Sequence, residues 1–181
     1  MTSDVAGARV KGRMLLVALA VLVLDQWTKW LIERHVPPGA SMEVVPGLNL
    51  GHVQNTGVAF GLFAARGHQP TTWLLTGLGL AALAIVLTYF WRAPSGERTL
   101  LAALALILGG AVGNLLDRLA TGAVTDFIDV YVGSWHWHTF NVADSAITIG
   151  ILLMVLDVLR PRPVRLEESG KEAVPPGAAR E

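Results

Sequence analysis

The chain has 181 residues, 52% of them hydrophobic and only 15% Asp, Glu, Lys or Arg, against about 25% charged residues in a typical soluble domain. Its 14 basic and 14 acidic residues cancel, which leaves no net field to gather nucleic acid. Cysteine is absent, which removes disulfides, thiolate metal sites and thiol nucleophiles together. With a mean hydropathy of +0.50, the composition points to a polytopic membrane protein.

Four stretches are apolar for the roughly 20 residues that a helix needs to cross a bilayer: Met14–Ile32, Thr71–Trp91, Thr99–Leu116 and Phe140–Leu159. The first is read as a retained span, because Asp25 and Lys29 stand where a cleavable signal peptide carries small residues. Between the first two spans, Val44–Val53 has the β-branched, Gly- and Pro-punctuated pattern of short strands. Asn55–Phe63, after it, suits a short element at headgroup level. Val124–Val132, between the last two spans, reads as another strand. The fold expected is mainly α and integral to the membrane, with four transmembrane helices, a small extracytoplasmic β-sheet and a short interfacial helix.

Basic residues set the orientation. Arg9, Lys11 and Arg13 precede the first span, Arg92 and Arg98 flank the short second link, and Arg160, Arg162 and Arg165 follow the last span. The other two loops are longer and carry only Arg34, Arg66 and Arg118. Both termini are therefore expected in the cytoplasm. The organisation expected is a cytoplasmic segment over 1–13, a four-helix membrane domain over 14–159 and a disordered cytoplasmic tail over 160–181, rich in Pro, Gly and charge.

Ionisable groups inside spans are costly and become functional candidates. At about 1.5 Å per residue, Asp25 falls roughly 10 Å, Asn114 roughly 3 Å and Asp144 roughly 6 Å below the outer ends of their expected helices. Three segments thus bring polar groups to one outer layer. Asp25 and Lys29 share a helix face and can pair, the plain reading being a structural ion pair with Lys29 snorkelling outward. Gly109 and Gly113 have the small-residue spacing of close helix packing. Asn114, Asp117 and Arg118 form one polar face, with Asn114 and Arg118 candidates for holding a ligand. Asn141 suits a helix N-cap, whereas Asp144 lies a turn inside an apolar run. Spacing alone does not say whether Asp126 or Asp129 approaches Asp144. Asp157 reads as an interfacial charge beside Arg160.

Two carboxylates in a low-dielectric layer share a proton, which suits water activation and leaving-group protonation without metal or cofactor. Alternatives are weaker. His136 and His138 alternate in WHWH without a third zinc ligand, and a Ser145–Lys29 dyad meets Asp25 as a competing partner for Lys29. A proton-coupled transporter would use Asp25, Lys29 and Asp144, yet the inner halves of the spans are nearly free of ionisable groups to continue the path. A purely structural subunit has no need of polar motifs at one depth.

DQWTK (Asp25–Lys29), NTGVAFG (Asn55–Gly61), GNLLDR (Gly113–Arg118), VTDF (Val124–Phe127) and FNVADSAI (Phe140–Ile147), in this order on four spans, resemble bacterial lipoprotein signal peptidase (signal peptidase II). The resemblance covers about Arg13 to Asp157. It implies an endopeptidase of the cytoplasmic (inner) membrane that removes signal peptides from prelipoproteins, cutting before a diacylglyceryl-modified cysteine. By motif position it implies Asp126 and Asp144 as the catalytic dyad. Asn55, Asn114, Arg118 and Asn141 match polar residues around dyad and substrate, and Asp25 and Lys29 a supporting pair. It also implies a flexible helical flap in the first outer loop. The partners expected are diacylglyceryl-modified prelipoproteins and membrane lipids, with no nucleic acid, cofactor or metal, and the protein acting as a monomer.

Overall fold

The computed structural model describes residues 2–57 and 69–160. The expected interfacial element lies outside these residues from position 58 on, as does the tail beyond Arg160. Element order is α1 (Thr2–His35), β1 (Ser41–Val45), β2 (Leu48–Asn55), α2 (Gln69–Arg92), α3 (Arg98–Thr121), β3 (Val124–Val132), β4 (Trp135–His136) and α4 (Val142–Leu159). All four helices are long and apolar enough to span a membrane. Their outward faces carry Leu16, Val23, Leu78, Ile85, Leu152 and Val155, all more than half exposed except Val155 at 48%. A lipid environment is what makes that arrangement stable.

The helices run further than hydropathy alone indicates. No break marks residue 13: α1 continues from Thr2 because Val10 and Met14 pack on the inner core and Lys11 Nζ donates to the carbonyl of Trp91, in the last turn of α2. At its other end α1 stops before Pro37 and Pro38. α3 extends to Thr121, where Gly122 adopts the left-handed conformation (φ 80°) and donates to the carbonyl of Arg118. α4 begins two residues later than expected. Phe140 belongs to the sheet edge, exchanging backbone bonds with Ile128, and Asn141 in extended conformation caps the helix.

α3 is the central helix and packs on α1, α2 and α4. Its N-terminal half forms an apolar core of Leu101, Leu104, Ala105 and Leu108 with Phe90 and Ala93. Close approach depends on the glycines of its outer half. A Cβ at Gly109 would stand 2.5 Å from the carbonyl oxygen of Ala18 on α1, and one at Gly113 would stand 2.5 Å from a carboxylate oxygen of Asp25. Gly113 therefore does more than admit a helix: it leaves room for an acid.

The four strands form one antiparallel sheet in the order β1-β2-β3-β4. It is anchored on the C-terminal end of α1 through Phe127, Ile32 and Val36. The two expected strand regions both form, Val44–Val53 resolving into β1 and β2 with the turn at Gly47 (φ 93°) between them. The turn at Gly122 leads directly into β3, which places residue 126 beside the end of α3.

Candidate active site

Asp126, on β3, is 2% exposed. Asn55 Nδ2 donates to its Oδ2 at 2.8 Å, and Asn141 Nδ2 donates to its Oδ1 at 2.8 Å. Both amides are oriented by their other ends. The Asn55 side-chain oxygen accepts the Gly57 amide, and the Asn141 oxygen accepts the Asp144 amide, so in each case the NH₂ group faces Asp126.

Asp144 is the third helical residue of α4. Its carboxylate accepts the backbone N–H of Asn141 at 3.3 Å, completing a reciprocal capping box. Its Oδ1 accepts from Asn114 Nδ2 at 2.7 Å. Capping, which suits Asp144 less well than Asn141 from the sequence, involves both because α4 starts later than expected. A carboxylate at this position faces the positive end of the helix dipole. Asn141 therefore touches both acids, and both line one cleft of about 530 Å³ with Asn55, Trp137, Phe140 and Ile149.

Beneath the acids lies a buried charge cluster. Lys29 Nζ is 2.8 Å from Asp25 Oδ2 and 2.7 Å from Asp117 Oδ2, and it donates to Asn114 Oδ1 at 3.0 Å. With 3% exposure, Lys29 does not snorkel. Two carboxylates and an amide oxygen in the bundle pair with the ammonium and offset the cost of burying it. The remaining Asp25 oxygen accepts the Ala143 amide of α4 at 2.9 Å. Asp25, Lys29 and Asp144 thus belong to one cluster beside the apolar core, and among the described residues no ionisable groups continue it across the bundle as a transport relay requires.

The burial of Asp126 pushes its pKa up to about 6. The Asn55 bond opposes this, the Asp144 charge adds to it, and Asn141 and Lys29 oppose it. On the other face of the sheet, the Asn49 amide and then His136 hold Asp129 below the ordinary carboxylate range. Asp129 accepts from Asn49 at 2.9 Å and contacts His136 Nδ1 at 3.0 Å, so the β-strand alternation assigns the inward position to Asp126.

Arg118 is not brought to the two acids. Among the described residues its Nη1 reaches the carbonyl of Asn114, one turn back, at 3.4 Å, and it lines a separate cleft with Thr56, Thr72 and Trp73. Asp117, given no role by the sequence beyond its polar face, is a junction: it accepts from Lys29, from Gln26 at 2.9 Å and from the Thr125 amide at 3.4 Å. Thr125 in turn donates to Glu33 at 2.6 Å and accepts from Gln54. The i,i+3 spacing of Asn114 and Asp117 was the signal available for that junction; Glu33 and Gln54 carried none.

An apolar four-helix bundle that opens a cleft onto two acids, Asp126 buried and Asp144 half-buried, defines an integral membrane enzyme. The chain belongs to the signal peptidase (SPase) II family, whose profile matches residues 17–160, and it is a peptidase. It is 44% identical to the lipoprotein signal peptidase of Solibacter usitatus (strain Ellin6076), over 81% of this chain and 90% of that protein. With the lipoprotein signal peptidase of Klebsiella pneumoniae (strain 342) it shares 40% identity over 87% of this chain and 94% of that one. A bacterial membrane enzyme solved by the in meso method at 1.9 Å resolution superposes with a TM-score of 0.72 at 33% identity, covering 83% of this chain and 95% of that one.

Proposed function

We propose that the protein removes signal peptides from prelipoproteins, cutting before the diacylglyceryl-modified cysteine, with Asp126 and Asp144 as a catalytic pair. The observation that carries this reading is Asn141, whose side-chain NH₂ donates to the Asp126 carboxylate while its backbone N–H donates to the Asp144 carboxylate, at the same cleft. Asp126, with its raised pKa, supplies the protonated carboxyl, and Asp144, held by the Asn114 amide, acts as the base. Asp144 takes a proton from water as the water oxygen attacks the scissile carbonyl carbon, and Asp126 protonates the carbonyl oxygen. The carbon–nitrogen bond of the tetrahedral intermediate then breaks as the proton on Asp144 passes to the departing amine and a gem-diol hydroxyl returns its proton to Asp126, which leaves the new carboxyl terminus and restores the starting pair.

The basic flanks support cytoplasmic termini and a cleft at the extracytoplasmic boundary. A substrate held there by its acyl chains arrives already positioned, which supplies part of the orientation that catalysis needs. In this reading Asn55, Asn114 and Asn141 orient the acids, Asp25 and Lys29 support them from below, and Arg118 meets substrate or headgroup from the adjoining cleft. The enzyme acts as a monomer without metal or cofactor.

The test is cleavage of a diacylglyceryl-modified precursor by Asp126→Asn and Asp144→Asn. Each variant is expected to insert and fold while losing roughly 10²–10⁴-fold or more in rate. Full turnover by either variant would overturn the pair.

A further inference from the structure

The sheet has two chemically distinct faces. Directly paired residues on neighbouring strands share a face, and the register puts Glu43 opposite Asn49, Asn49 opposite Asp129, and Tyr131 opposite His136. This face is polar and internally bonded, with His136 also stacked on Tyr131 at 5.2 Å. The other face carries Val45 opposite Leu48, Leu48 opposite Val130, and Val132 opposite Trp135. Trp137 extends it, donating its amide to the carbonyl of Val130 and meeting Trp135 edge-on at 5.7 Å. Val45, Val130, Val132, Trp135 and Trp137 are all exposed, Val132 at 75% and both tryptophans at 58%.

An uncharged, exposed patch of this kind marks an interaction surface. Its chemistry favours lipid over a protein partner. Tryptophan is the residue of membrane–water boundaries, where its ring is buried and its N–H stays wet. The acids of the sheet, Glu43 and Asp129, all turn to the opposite face except Asp126 inside the cleft. The patch is also continuous with the lipid-facing bundle, because Trp137 and the exposed Ile149 of α4 line the same cleft.

The geometry points to the apolar face of this sheet lying in the headgroup–acyl boundary of the bilayer, with Trp135 and Trp137 as its anchors. This rests on the membrane fold and not on the catalytic roles of Asp126 and Asp144. The anchor fixes the height of β3 relative to the lipid and makes Trp137 a cleft wall shared by protein and bilayer.

Because the chain has no cysteine, single nitroxide labels can be placed on the full-length protein in phosphatidylcholine–phosphatidylglycerol vesicles through Val132→Cys, Trp135→Cys and, on the polar face, Glu43→Cys. Collision with oxygen is expected to exceed collision with a water-soluble nickel chelate several-fold more at 132 and 135 than at 43. Adding Trp135→Asp to the label at 132 should raise its nickel collisions by lifting the ribbon. Equal nickel access at all three positions would overturn the proposal. So would shielding that appears only at high protein-to-lipid ratio with spin–spin broadening, which indicates a second copy, or only after a lipidated precursor is added, which indicates substrate.

Discussion

The ammonium of Lys29 donates to Asn114 Oδ1 at 3.0 Å, and this contact determines which way the Asn114 amide faces. With its oxygen committed to Lys29, the NH₂ group of Asn114 turns to Asp144 Oδ1 at 2.7 Å. A charge on α1 thereby sets a hydrogen bond on α4 without touching it. The same side chain neutralises Asp25 and Asp117, so its loss has both a structural and a chemical consequence.

Lys29→Met should leave the buried Asp25 and the half-buried Asp117 without their counter-ion, a change that costs about 3–5 kcal/mol when a buried pair is broken. A lowered thermal midpoint in detergent, with reduced cleavage by the fraction that remains folded, is the expected outcome. An unchanged midpoint would show that Asp25 and Asp117 are not held as the 2.8 Å and 2.7 Å contacts imply.

Asn55→Ala removes a hydrogen bond that favours the ionised form of Asp126, so the pKa of Asp126 should rise above its value of about 6. If Asp126 acts as the protonated partner, the alkaline limb of the kcat/KM profile moves to higher pH in this variant, and kcat falls because the carboxyl is less well held. The limb moving to lower pH, or staying in place, would remove Asp126 from that role.

The same shift bears on stability. A carboxyl whose folded pKa is raised from 3.8 to about 6 contributes stability that is fully present below pH 3.8 and is lost as pH rises through about 6. Raising the pH across that window should therefore lower the thermal midpoint of the wild type by a component absent from Asp126→Asn. Parallel curves for the two proteins would mean that Asp126 is not desolvated in the folded state.

Much of this was legible in the chain, and the gaps have physical causes. Val124–Val132 is β-branched and forms β3 over that same range. The tryptophan and histidine alternation of β4 reads equally well as a failed metal motif, since two residues are too few to show a period. Counting depth from the expected helix ends went astray because capping and turn chemistry, at Asn141 and Gly122, set the real ends. Asp25, Asn114 and Asp144 still meet, through Lys29 and the Ala143 amide. Local spacing revealed the Asp25–Lys29 pair but not Asn114 or Asp117, which approach Lys29 only after α3 has packed against α1.

Gly113 offers a test of that packing. A methyl group there would stand 2.5 Å from Asp25 Oδ2, and the carboxylate cannot swing aside cheaply because Lys29 and the Ala143 amide hold both its oxygens. Gly113→Ala should therefore destabilise the protein by about 1–3 kcal/mol, as overpacking does, and reduce cleavage by displacing Asp25 from the start of α4. Gly79→Ala is the matched control: its Cβ would meet nothing nearer than Leu115 Cδ1 at 3.9 Å. Replacing a mid-helix glycine there should be neutral or stabilise by roughly 0.5–1 kcal/mol. Equal midpoints for the two variants would show that the outer end of α3 does not hold Asp25 in so close a fit.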